Sequence, residues 1–215
     1  MFIFTASTID AASHNNDTPV EKHEKAVKTG YRKLNCPDLK FEAFKNAVKG
    51  YRILKNKGLL KNDSIITIID FSKPSDKERM YVINIRQNKL ILKTLVAHGK
   101  NTGVEYAEKF SNKNQSHQSS PGFYLTGDPY KGKHGYSLRL QGLEKGINDK
   151  AEERAIVIHP AKYATYDFIK KYGRLGRSFG CPALPPEVSR KTIDTIKNGS
   201  LMYIYHPDYT RSTIL

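Results

Sequence analysis

A thiol and an imidazole are the two groups in this chain best suited to covalent chemistry. Cys181 lies in Gly176-Arg177-Ser178-Phe179-Gly180-Cys181-Pro182, with glycine before it and proline after it. That pair marks a sharp turn, so the thiol belongs on a loop where backbone can approach a bound carbonyl closely. The backbone N–H groups of Ser178, Phe179 and Gly180 are candidate donors to a developing oxyanion. Arg177 adds positive potential, which favours thiolate. A free thiol has a pKa of about 8.5, so a base must take its proton near neutral pH. Among the 7 histidines, His159 ranks first. It ends the apolar run Ala155-Ile156-Val157-Ile158, and a strand end holds its last side chain rigidly at a cleft. His98, closing Leu95-Val96-Ala97, ranks second, and His134, in Gly132-Lys133-His134-Gly135, third.

The same residues also have plainer readings. A lone cysteine can be a small buried hydrophobe, and a histidine closing a strand can be a satisfied polar cap. A Cys36–Cys181 disulfide would consume the proposed nucleophile, and Cys36 sits in a different kind of segment. With 2 cysteines, no C-x-x-C and no H-x-x-x-H, neither a metal nor another cofactor is expected.

These groups need a scaffold, and the patterning gives one. Residues 1–38 read as a polar N-terminal arm with one short helix near Val20–Tyr31, and residues 39–215 as one domain. Phe41, Phe44, Val48, Tyr51 and Leu54 recur at spacings of three and four, which predicts an amphipathic helix over 39–57. Ser64–Phe71 is β-branched and apolar, a buried strand. Met80–Arg86 and Lys89–His98 form a hairpin. Residues 99–120 form a long polar loop. Further strands are predicted at Phe123–Thr126, Tyr136–Leu140, Ala155–His159 and Leu201–His206, with a second loop at Tyr130–His134. Residues 161–171 and 186–197 read as helices. The sum is mainly β with flanking helices, and it does not suit a regular α/β repeat.

Composition narrows the classes. The 215 residues can bury a real core, and 13 Tyr with 9 Phe need one. No apolar run reaches the ~18–20 residues that span a bilayer, so no stable membrane insertion is expected. The net charge of +15 would attract nucleic acid, anionic lipid or acidic wall polymers alike. Basic residues are scattered and no nucleic-acid-binding motif is present, so nucleic acid is not the expected partner.

The string His159…Ser178-Phe179-Gly180-Cys181 resembles the signature of the YkuD-like L,D-transpeptidases, in which a His, a spacer and Ser/Thr-His-Gly-Cys follow one another. Residues 160–177 form the spacer here. Ser119-Ser120-Pro121-Gly122-Phe123-Tyr124 is similar to the family's Thr-Pro-x-Gly-x-Phe motif. The murein L,D-transpeptidase catalytic-domain branch is matched further at Asp70-Phe71-Ser72, Val96-Ala97-His98-Gly99, Phe110-Ser111-Asn112, Lys133–Leu140, Gly142-Leu143-Glu144, Asn148-Asp149 and Arg154–His159. There are departures: Phe179 stands where better-known members have His, Pro160 where they have Gly, and Pro182-Ala183 where they have an apolar residue followed by Asn or Arg.

The resemblance covers roughly residues 40–205. It implies a β-sandwich catalytic domain over 39–215, with Cys181 as nucleophile, His159 as base and a backbone carbonyl orienting the imidazole. It also implies peptidoglycan stem peptides as substrates, sensitivity to carbapenems, and export to the bacterial cell envelope or periplasm. Met1–Ala6 would then be either the end of a trimmed leader or a plain start. Stem peptides carry free carboxylates, which Arg177 and Arg139 suit. Tyr124 and Tyr136 are expected to line the channel, with His134 and Ser137 near it. The alternatives are an L,D-carboxypeptidase acting on the same bond and a basic, non-enzymatic polymer-binding module.

Overall fold

The computed structural model describes residues 18–209 and 212–215, so the expectation for Met1–Ala6 lies outside the described residues. The helices are α1 (Pro19–Leu34), α2 (Phe41–Asn56), α3 (Tyr166–Tyr172) and α4 (Pro186–Ile196), with a single 3-10 turn at Lys162–Ala164. The strands are β1 (Ile65–Asp70), β2 (Met80–Asn84), β3 (Lys89–Thr94), β4 (Gly122–Gly132), β5 (Gly135–Gly142), β6 (Val157–Pro160), β7 (Ala183–Leu184) and β8 (Leu201–Tyr205).

The strands form one run in the order β3-β2-β1-β8-β4-β5-β6-β7. β1–β8 and β6–β7 are parallel and the other pairs antiparallel. The two layers expected of a sandwich are thus one sheet that curls into a barrel-like form. Its two ends meet where the Ala97 N–H donates to the Ala183 carbonyl at 2.9 Å.

Period-two patterning separates two cores. Ile66, Ile68, Tyr81, Ile83, Phe123, Leu201 and Tyr203 face outward under α1 and α2. Ile65, Ile69, Met80, Val82, Tyr124, Met202 and Ile204 face the interior, together with Ile193 and Ile196 of α4. β1 is covered on both faces, which is why its sequence is apolar throughout rather than alternating. Gly50 lets α2 lie close on β4, since a Cβ there would meet the Phe123 ring at 2.3 Å.

Three expectations are corrected, and one strand has no sequence counterpart. The short helix of the arm is a full 16-residue α1. A Thr18–Glu21 capping box starts it, and Val27 and Leu34 join the outer core, so this part of the arm is folded onto α2. The loop expected at Tyr130–His134 is instead the end of a β4–β5 hairpin, paired to Gly132↔Gly135 and leaving only Lys133-His134 as its tip. Gly135, which opens β5 just after the tip, has φ +85°, a conformation that favours glycine. β3 stops at Thr94, because Leu95–Ala97 leaves β2 for the far end of the sheet. β7 was not foreseen; two residues between Pro182 and Pro185 carry no legible strand pattern.

Candidate active site

The short parallel pair β6–β7 assembles the centre. His159 is registered with Ala183 and Pro160 with Leu184. Stepping back two residues along both strands puts Cys181 beside Val157. The sulfur is there: the Val157 N–H donates to Sγ at 3.5 Å, and Sγ lies 3.6 Å from the Ala155 carbonyl oxygen. Val157 and His159 are two apart on one strand, so their side chains share a face. The thiol and the imidazole therefore open onto the same cavity of about 610 Å³.

His159 is buried apart from this edge, and its Nδ1 is 3.0 Å from the Pro160 carbonyl oxygen. A carbonyl only accepts, so Nδ1 carries the proton and Nε2 keeps its lone pair. The His134 ring stacks on His159 with centroids 4.4 Å apart. Burial holds the His159 pKa below its ordinary value, the Pro160 carbonyl opposes this, and His134 and Lys133 push the same way as burial. Burial likewise pushes the half-buried Cys181 thiol up, against the Val157 N–H, Arg154 and Lys133. At neutral pH the pair rests as thiol and neutral imidazole.

The turn before the thiol is fixed from below. The Ser178 N–H donates to the His98 carbonyl at 2.9 Å, and the Gly180 N–H to Ser178 Oγ at 3.0 Å. Two of the three N–H groups expected to hold an oxyanion are therefore used within the protein. The Phe179 and Cys181 N–H groups remain, with no acceptor on another residue among the described residues. The Gly180 carbonyl accepts from Ser119 Oγ at 3.0 Å, and that oxygen in turn accepts from the Gly99 N–H at 3.0 Å. Gly180 has φ +125°, and a Cβ would lie 2.8 Å from the Gln118 carbonyl oxygen, so only glycine suits the position.

Arg154 lines the cavity and braces its wall. Its guanidinium donates to the Ser111 carbonyl and Ser120 Oγ, each at 2.7 Å, to Ser116 Oγ at 3.2 Å, and to the Gln118 carbonyl. The polar loop 99–120 is thereby tied to the start of β6.

Residues 35–205 match the family described as YkuD_2, L,D-transpeptidase catalytic domain. The chain belongs to this family. No curated protein matches it. Among solved structures it is similar to an L,D-transpeptidase from Mycobacterium smegmatis, at 12% identity over 66% of this chain and 59% of that one, with a TM-score of 0.42. A mutant L,D-transpeptidase from Enterococcus faecium is 13% identical over 66% and 50%, with a TM-score of 0.41. A mutant of the helical cell shape determining protein Pgp2 from Campylobacter jejuni is 13% identical over 73% and 56%, with a TM-score of 0.45. The chain thus spans less than two thirds of each of these proteins.

For this L,D-transpeptidase family member, Cys181, His159, Ser178, Phe179, Arg177 and His134 all meet at the cavity. Phe179, exposed at its mouth, stacks on His117 at 4.3 Å, so an imidazole still borders the position where the signature has His. Arg177 spends Nη1 on the Lys100 and Gly103 carbonyls, each at 3.1 Å. Four candidates sit elsewhere. Tyr124 is fully buried in the interior core and donates to the Ser120 carbonyl at 2.9 Å. Tyr136 faces α4, donating to Asp194 at 2.7 Å under the Arg190 guanidinium. Ser137 is buried and donates to the Gly135 carbonyl at 3.2 Å. Arg139 is outside the cavity, stacked over Tyr130 at 4.4 Å. All four lie on β4 or β5, where the facing of each side chain depends on register and on the irregularity between Thr126 and Pro129.

His98, the second-ranked base, is buried with Nδ1 2.9 Å from Arg79 Nη2 and Nε2 3.2 Å from the Gly103 carbonyl oxygen. Burial and then Arg79 pull its pKa down to about 3. It acts as the satisfied structural histidine of the alternative reading. Cys36 and Cys181 are both free thiols, so the disulfide alternative falls away. Arg154 and Ser119 were not anticipated as site residues. Their signal was present only as members of matched strings, which do not say what a side chain touches.

Proposed function

We propose that this protein is a cysteine acyltransferase acting on peptidoglycan stem peptides, forming cross-links as a murein L,D-transpeptidase. Membership in the family supports the substrate class. The convergence of Sγ and the His159 ring on one cavity, with Nδ1 committed to the Pro160 carbonyl, carries the chemistry.

Attack begins when the Cys181 thiol gives its proton to His159 Nε2 and the sulfur bonds to the carbonyl carbon of an L,D-peptide bond. The oxyanion is held by the Phe179 and Cys181 N–H groups. His159 then passes the proton to the leaving amine, the C–N bond breaks, and a thioester remains. An amine of a second stem peptide attacks the thioester and gives its proton to His159. The new C–N bond forms, the C–S bond breaks, and the proton returns to sulfur. No third acidic side chain is needed, because Pro160 orients the imidazole. Water in place of the amine would make the enzyme an L,D-carboxypeptidase. Work on this polymer requires export to the cell envelope.

The test is intact-protein mass spectrometry after carbapenem treatment. A single adduct is expected on the native protein, and none on Cys181→Ala. Labelling of Cys181→Ala at another residue overturns the assignment. Incubation with purified tetrapeptide muropeptides then separates the acceptors: cross-linked dimers support transfer to amine, and tripeptide monomers transfer to water.

A further inference from the structure

We propose that Lys133 selects the acyl donor by pairing with the free carboxylate of the single amino acid that leaves. This rests on the acyl-transfer reading above and deepens it. Among the described residues, the cavity is lined by three cationic side chains, Lys133, Arg154 and Arg177, and by no Asp or Glu. It is therefore a site for an anion. The three cations are not equally available. Arg154 donates to four oxygens of the 111–120 loop. Arg177 Nη1 is shared by two carbonyls of the 100–103 turn. These guanidinium groups hold the walls. Lys133 makes no hydrogen bond and no ion pair among the described residues. A carboxylate entering the cavity therefore finds the Lys133 ammonium with no partner among the described residues, whereas both terminal nitrogens of Arg154 are engaged and Arg177 already has Nη1 committed to two carbonyls.

Its location says which carboxylate that is. Lys133 and His134 form the two-residue tip of the β4–β5 hairpin, beyond the Gly132↔Gly135 pair. The stacking of His134 on His159 sets that tip beside the base. In the mechanism, His159 protonates the leaving nitrogen, so the leaving amino acid lies on the His159 side of the sulfur. In a single leaving α-amino acid, the terminal carboxylate is two bonds from that nitrogen. A lysine next in sequence to His134 reaches it with a flexible stem and a compact ammonium charge. A longer leaving peptide carries its carboxylate away, and a carboxamide lacks the charge.

The experiment compares two donors, a stem tetrapeptide with a free terminal carboxylate and its terminal carboxamide, in wild type, Lys133→Met and Lys133→Arg. Release of the last residue is followed by chromatography with mass detection. Far-UV circular dichroism confirms that each variant is folded. A charge-assisted hydrogen bond predicts that wild type favours the acid over the amide by ~10–100-fold in kcat/KM. Lys133→Met should bring that ratio near unity by losing only the acid substrate's advantage, and Lys133→Arg should keep most of it. An unchanged ratio in folded Lys133→Met overturns the role of Lys133 while leaving acyl transfer intact. If wild type turns over neither donor and Cys181 takes no acyl adduct, the acyl-transfer reading falls and the Lys133 proposal with it.

Discussion

Replacing Ser119 by alanine tests how the nucleophile turn is held. Ser119 Oγ is buried between the Gly99 N–H and the Gly180 carbonyl, at 3.0 Å from each. The Gly180 carbonyl and the Cys181 N–H belong to one planar peptide unit. Anchoring the oxygen on one side aims the N–H to the other, toward the oxyanion of the proposed mechanism. Ser119→Ala leaves the buried Gly99 N–H without its acceptor, a cost of about 1–3 kcal/mol. For a chain of this size, about 2 kcal/mol lowers Tm by roughly 4–8 °C. The same change frees the Gly180–Cys181 peptide. Losing about 1.4 kcal/mol of its orientation slows acylation about tenfold, less than the ~10²–10³ that deletion of a whole oxyanion donor costs. Thermal unfolding by circular dichroism and time-resolved mass spectrometry of the carbapenem adduct read the two effects. If Ser119→Ala melts within about 1 °C of wild type and acylates at the wild-type rate, the anchoring argument is wrong.

Other perturbations separate the remaining parts. Gly180→Ala combines a left-handed φ with a contact to the Gln118 carbonyl; it should cost about 1–3 kcal/mol and nearly abolish labelling, and a stable, fully reactive variant would contradict this. The acid limb of kcat/KM should have its midpoint below 6.5, because burial lowers the His159 pKa and the base works unprotonated; a midpoint well above 6.5 would mean another group titrates. His98, at about 3 in the folded protein, takes up its proton on unfolding at any pH between that value and its unfolded pKa of about 6.5. Its contribution to stability is therefore complete above pH 6.5 and falls as pH drops toward 3. His98→Gln should flatten this part of the stability curve relative to wild type, and parallel curves would refute the buried-imidazole account. Cys36→Ala should keep full carbapenem labelling, since Cys36 lies buried in the outer core; lost labelling would point to a role for the second thiol.

The fold was legible wherever burial imposed a period. α2 declared itself through Phe44, Val48, Tyr51 and Leu54, and β1 through its run of β-branched residues, because one packs on a single face and the other on two. The thiol–imidazole pair could be nominated from a Gly-Cys-Pro turn and a strand-ending histidine. What brings them together could not. β7 is two residues long, and the Ala97–Ala183 bridge joins distant parts of the chain without any local pattern. Tyr124 and Tyr136 were misassigned because an aromatic on a strand looks the same from sequence whether it faces a core, a helix or a cleft. Arg177 does line the cavity, but its Nη1 is engaged by main-chain carbonyls, which no side-chain pattern announces.

The bridge between Ala97 and Ala183 has a consequence for the order in which the cavity can form. The thiol-bearing turn adjoins a contact between the two sheet margins, residues far apart in sequence, and contacts of that separation are expected late in folding. A newly made or partly collapsed molecule carries an ordinary cysteine and an ordinary histidine with no common pocket. The shared cavity of Cys181 and His159 is thus a product of the completed topology, not of any one local segment.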